Sequence, residues 1–328
     1  MKNKTFEIKI LDSASGIYEV LMERVMPTFR FEFEKFNIVM QPNKDPNKEI
    51  VFIDLNIIRL LNYQGTESNK VGYRNIIIDK VRGKRVTPML YLAEAAFYKG
   101  IESDLMDYIK KEYESFLEIL NHNSEAIPDK SFLSSSMVER LIDMMTNDSN
   151  SNYEVNFAFL EKLYNDVFLS EENNLVNNMG NVQVAKKAFD KFKMIDVRGV
   201  DKLLLICSSF SILSGNSVEP CFYDIFRIKK NKTREEQIKN TLGDIRNIRY
   251  LLYATSFIPN DGTFRFITND NALFRVIKEL DIELNSNENS ITYNFYGPNY
   301  DRIIHKNYKD NKDFYNDFRE YVSTILGK

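Results

Sequence analysis

The sequence predicts an α/β protein, a parallel sheet flanked by helices with further helices added to it. Three observations carry that expectation. The run 50-IVFIDLNIIRLL-61 is apolar without alternation, as in a strand buried on both faces of a parallel sheet. In 264-FRFITNDNALFRVI-277 an apolar run stops at Thr-Asn-Asp and helical periodicity resumes at once. Strand-like and helix-like segments then alternate along the chain.

Taken in order, 5–10 (TFEIKI) alternates as a strand, and 16–27 reads as a helix stopped before Pro27. The alternating aromatics of 28-TFRFEFEKFNIVM-40 predict a half-buried strand, and 41-QPNKDPNKE-49 a loop or linker. The apolar run 50–61 ends its strand in an acid, Asp54. Residues 86–98 predict a helix with Pro88 in its first turn, where a missing N–H costs little. Helical patterns follow at 101–121, 131–146, 153–170, 181–193 and 199–213, with the polar loop 146-TNDSNSN-152 between two of them. A helix over 241–257 carries an apolar stripe of Leu242, Ile245, Ile248, Leu251 and Leu252. The strand 264–267, a helix over 271–280, a weaker strand 290–297 and a helix over 313–326 close the chain.

Composition narrows the chemistry. The chain has 328 residues and 43% hydrophobic residues, enough for a sizeable core, and a net charge of −3 that exerts no overall pull on nucleic acid. Cys207 and Cys221 are read as reduced thiols, the N-terminal MKNKTFEIKILD has no apolar core of signal-peptide length, no segment has the length of a membrane span, and the expected location is the cytoplasm. His122 and His305 are too few for a histidine zinc site or a Ser-His-Asp triad, and both read as ordinary loop and strand-end residues. Neither a phosphate-binding GxxxxGK[ST] nor a GxGxxG fingerprint occurs. Any chemistry has to run on carboxylates.

Four acids sit at element ends or interrupt apolar faces: Asp54, Glu94, Asp244 and Asp270. Asp54 and Asp270 follow buried-looking strands, at the edge where open α/β sheets place ligands. Glu94 lies within LYLAEAAFY, and Asp244 at the expected start of its helix, where the macrodipole also favours an acid. Three have a plain structural alternative, a turn or helix cap for Asp54 and Asp270 and a helix-start charge for Asp244, whereas a glutamate amid apolar helix neighbours, as Glu94 is, needs a reason. Converging acids would repel unless a hard cation such as Mg²⁺ held them.

With these pieces the chain resembles the PIN-domain nucleases. IVFIDLNII matches the first strand and its acid, VTPMLYLAEAA the early helix and its glutamate, and NTLGDIRNIRYLLYATSF with FRFITNDNALFRVI the paired late acids. The resemblance implies a PIN-like parallel sheet flanked by helices, with a large helical insertion and an N-terminal extension. The corresponding boundaries are 1–48 for the extension, 49–100 and 196–300 for the nuclease core, 101–195 for the insertion and 301–328 for a C-terminal helix. It also implies a Mg²⁺- or Mn²⁺-dependent endonuclease, acting on RNA in preference to DNA. Asp54, Glu94, Asp244 and Asp270 would be its catalytic and metal-binding residues, with Asp244 a ligand or an orienter of water. Asp201, in a setting like that of Asp244, is the alternative third acid.

The run 227-RIKKNKTR-234 is read either as a solvated loop or as a contact to the phosphate backbone through Lys229, Lys230 and Lys232. Arg246 and Arg249 face either substrate or solvent. Two other functional classes stay open. One is a non-catalytic interaction protein on the same fold. The other is a nuclease restrained by a partner protein, as in a toxin or antiphage effector. The oligomeric state is left open.

Overall fold

The computed structural model describes residues 5–10, 18–25, 49–99, 104–120, 124–126, 153–168, 180–214, 221–227, 231–254, 263–268, 270, 272–273, 275–276, 282–287, 290–295 and 306–326. The expected strand over 28–40, the helix over 131–146, both histidines, Lys229 and Lys230 lie outside them. The chain forms two compact units: residues 1–147, 250–274 and 282–293 make the first, and residues 148–249, 275–281 and 294–328 the second.

The first unit is built on a six-stranded mixed sheet. In chain order its strands are β1 (Thr5–Ile10), β2 (Tyr18–Val25), β3 (Glu49–Ile53), β4 (Arg85–Thr87), β5 (Glu125–Ala126) and β6 (Thr263–Thr268). Across the sheet the order is β1-β2-β6-β3-β4-β5. The four strands from β6 to β5 are parallel, and β1 and β2 join them antiparallel on the β6 side. The class expected from the sequence, α/β with a parallel sheet, is what forms. Strand β3 lies between two parallel neighbours with Val51, Phe52 and Ile53 all buried, which accounts for its unbroken apolar sequence.

Strand β3 ends at Ile53, directly before Asp54 as expected, and α1 (Leu55–Leu61) begins directly after it, burying Ile57, Ile58 and Leu61. One expectation is corrected here. Residues 18–25, expected to be helical, form β2, which pairs on both sides, with β1 and with β6. Hydrogen-bonded partners on two edges outweigh a weak local helical pattern. The region 1–48 therefore supplies two strands of the sheet. Helices α2 (Ser68–Val81), α3 (Met89–Lys99) and α4 (Leu105–Leu120) also belong to the unit, α4 with one buried stripe of Leu105, Ile109, Tyr113, Phe116 and Leu120. Strands β7 (Ile282–Asn287) and β8 (Ser290–Phe295) form a separate two-stranded sheet.

The second unit is helical. It contains α5 (Tyr153–Lys162), a π-helical turn (Leu163–Phe168), α6 (Val182–Lys193), α7 (Lys202–Ser214), α8 (Cys221–Phe226), most of α9 (Arg234–Ala254), α10 (Lys306–Asp310) and α11 (Lys312–Leu326). Its core is aromatic. Phe318 of α11 meets Phe189 at 5.3 Å and Phe210 at 5.4 Å, both edge to face. Helix α7 is apolar nearly all round because it is buried nearly all round, Leu203 to Leu213.

Helix α9 begins at Arg234, upstream of the expected start at 241. Thr233 and Glu236 explain it: Thr233 Oγ1 accepts the Glu236 N–H at 3.2 Å, and Glu236 Oε2 accepts the Thr233 N–H at 2.7 Å. This reciprocal capping box was legible as T-x-x-E inside the basic run. It makes Arg234, the last residue of that run, the first of the helix and places Asp244 in mid-helix, so a helix-start role for Asp244 is ruled out.

Candidate functional site

Strands β3 and β6 are parallel neighbours, so their carboxyl ends lie at the same edge of the sheet, the edge where open α/β sheets place ligands. At the end of β3 stands Asp54. It adopts extended backbone (φ −93°, ψ 175°) and caps α1, its Oδ1 accepting the Ile57 N–H at 2.8 Å. Its other oxygen, Oδ2, accepts the hydroxyl of Thr268 from the end of β6 at 2.5 Å. Glu94 of α3 reaches the same place, its Oε2 accepting the Leu55 N–H at 3.2 Å.

Asp270 follows on the β6 side. Its N–H donates to Thr268 Oγ1 at 2.9 Å, and its Oδ1 accepts the N–H groups of Ala272 at 2.9 Å and Leu273 at 3.0 Å. Thr268, fully buried, thus donates to Asp54 and accepts from Asp270, tying two strand ends together through one hydroxyl. In the sequence it stands out only as the first residue of Thr-Asn-Asp. A hydroxyl residue at the end of a buried strand, two places before an acid, was the available signal.

The electrostatics are unusual for one carboxyl. Asp54 is 1% exposed, and its pKa rises from 3.8 to about 7. Burial is the largest cause and the negative charge of Glu94 the next, while the bonds from Thr268 and the Ile57 N–H pull the other way and Asp270 adds a smaller upward push. Asp54 therefore feels both other acids, Glu94 the more strongly. Glu94 is itself 8% exposed and Asp270 half-buried.

Asp54, Glu94 and Asp270 thus gather in the first unit, while Asp244 belongs to the second. There it is half-buried on α9 and acts electrostatically on Tyr164, whose hydroxyl bonds Thr241 at 2.8 Å. Asp201, the alternative third acid, is committed elsewhere. Its Oδ1 caps α7 through the Leu204 N–H at 3.0 Å, and its Oδ2 takes the Arg249 guanidinium in an ion pair that is mostly shielded from water. Arg249 is therefore held inside the helical unit, and Arg246 is buried, so neither presents an open cation. Lys232 is half-buried just ahead of α9.

The donor set can be tested against a divalent cation. Among the described residues no group of three or more His, Cys, Asp or Glu side chains is arranged to hold a metal ion. Asp54 and Glu94 are hard oxygen donors, like-charged, buried and mutually repelling. That pair fits Mg²⁺ or Mn²⁺, ions commonly held by one or two carboxylates with waters and substrate phosphates completing the shell. Among the described residues no helix is long and apolar enough to cross a membrane. No protein-family model, curated protein or solved structure matches the chain.

Proposed function

We propose that this chain is a divalent-metal-dependent endonuclease of the PIN-like kind, hydrolysing phosphodiester bonds with RNA as the favoured substrate. The observation that supports it is the Asp54 carboxyl, buried at the carboxyl end of a central parallel strand, with Glu94 and Asp270 close enough to disfavour its charge. Retaining three acids where they repel is costly unless something positive is bound there.

Asp54 and Glu94 would hold Mg²⁺ or Mn²⁺, and Asp270 would border the site from the β6 side. When bound, such a cation supplies an activated water and offsets charge on the phosphate. The chain's own residues do the positioning. Thr268 fixes the Asp54 carboxyl by its hydroxyl, and the Leu55 N–H fixes that of Glu94. No histidine or nucleophilic side chain is required.

A second reading has its own support. Asp54, Glu94 and Asp270 each accept a hydrogen bond from a helix-starting N–H group, as purely structural caps would. A non-catalytic interaction protein would need nothing more. Incubating the purified chain with mixed RNA and DNA, with Mg²⁺ or Mn²⁺ and with EDTA, separates the two. Metal-dependent cleavage supports the nuclease, and intact substrate under every metal condition supports the interaction protein.

A further inference from the structure

We infer that β1 is the docking edge for a second copy of this chain. Two β1 strands pair antiparallel about a two-fold axis centred on Ile8 and join the two sheets into one. The inference concerns the outer edge of the sheet and holds with or without chemistry at Asp54.

An open sheet has two edge strands, whose unpaired N–H and C=O groups invite further strands unless the edge is blunted. Here the two edges differ. Strand β5 is two residues long, a blunted edge. Strand β1 is six residues long, contains neither proline nor glycine, and among the described strands has β2 as its one neighbour. Its register with β2 is unbroken from Thr5 opposite Val25 to Ile10 opposite Val20, so no bulge bends it away from a partner.

The residues of β1 say which partner fits. Successive residues take opposite faces, so Phe6, Ile8 and Ile10 share one face of the strand and Thr5, Glu7 and Lys9 the other. Pairing TFEIKI with itself about Ile8 sets Glu7 opposite Lys9 of the second copy, Lys9 opposite its Glu7, and Phe6 opposite its Ile10. Both charge pairs are then of opposite sign, and the apolar face continues across the junction. Glu7 also stands in register with Glu23 of β2, a like charge, so a cation on its other side is favoured.

Neighbouring registers lose these pairs. Centred on Glu7 the pairing sets glutamate against glutamate, and centred on Lys9 it sets lysine against lysine. A register centred between two residues turns the apolar face of one copy to the charged face of the other. One register survives, and a second copy meets it by symmetry alone.

The test is the oligomeric state of the full chain by sedimentation velocity over a range of concentrations. The unmodified chain should become dimeric as concentration rises. Glu7→Lys and Lys9→Glu each set like charges opposite one another in both pairs, and each should weaken self-association by at least about tenfold. Mixed in equal amounts, the two variants should form a heterodimer, because each supplies the charge that the other lacks. The double variant Glu7→Lys/Lys9→Glu should dimerise like the unmodified chain. Ile8→Cys should give a disulfide-linked dimer on mild oxidation that the unmodified chain does not give. Directly opposed antiparallel residues have Cα atoms ~4.5–5.5 Å apart, within disulfide range. A dimer retained by both single variants, or a double variant that stays monomeric, would overturn the inference. So would an unmodified chain that is monomeric at every concentration, the result expected if residues 28–40 of the same chain pair with β1 instead.

Discussion

At the residue scale, Asp54 is both a helix cap and a carboxyl whose charge the fold disfavours, and the two roles can be separated by pH. Its folded pKa of about 7 lies above the ordinary 3.8, so between those values the folded chain binds a proton that the unfolded chain lacks. The stabilisation is complete below about pH 4 and is lost as pH rises through about 7, with an upper bound of about 4 kcal/mol. Asn caps as well as Asp. In denaturant melts Asp54→Asn should therefore exceed the unmodified chain at pH 8 and lose that advantage near pH 4. Millimolar Mg²⁺ at pH 8 should raise the melting temperature of the unmodified chain alone. An Asp54→Asn variant less stable at pH 8 would mean that the carboxylate is there for its caps. Thr268→Val keeps the strand shape but removes the bonds to Asp54 Oδ2 and from the Asp270 N–H. It should cost about 1–3 kcal/mol. It should also shift the pH window upward, because the Thr268 hydroxyl holds the Asp54 pKa down.

At the scale of elements, the β3 strand, the α3 helix and the β6 strand were legible because their cues are local: an apolar run, a proline beside a helix start, a Thr-Asn-Asp stop. The acids at their ends could be named for the same reason. What was not legible depended on partners distant in sequence. Residues 18–25 become a strand only because β1 and β6 pair with them, and Thr268 matters only because Asp54 lies across the sheet. The start of α9 was local, in the Thr233–Glu236 capping box, and was masked by the surrounding lysines and arginines. Asp201 illustrates how sequence setting misleads. It resembles Asp244 in the chain, yet it caps α7, pairs with Arg249, and has its N–H held by Asn156 at 2.9 Å. Asp201→Ala should therefore destabilise the chain by about 3 kcal/mol, by removing both the α7 cap and the shielded ion pair with Arg249. The Asp201→Ala melt should also be insensitive to added Mg²⁺. A loss below about 0.5 kcal/mol would show the pair to be a surface ion pair in effect.

At the scale of the whole molecule, the first unit brings three carboxyls to the edge where parallel strands place ligands, and the second is a helical body with an aromatic core. The central claim is that the carboxyl cluster works through a divalent cation on a phosphodiester. It is tested most directly by following cleavage of a labelled RNA by the unmodified chain, Asp54→Asn and Glu94→Gln across a Mg²⁺ titration. The account predicts metal-dependent cleavage by the unmodified chain, lost by at least about a hundredfold in both variants although each stays folded. Equal cleavage by all three, or cleavage that persists in EDTA, would contradict it.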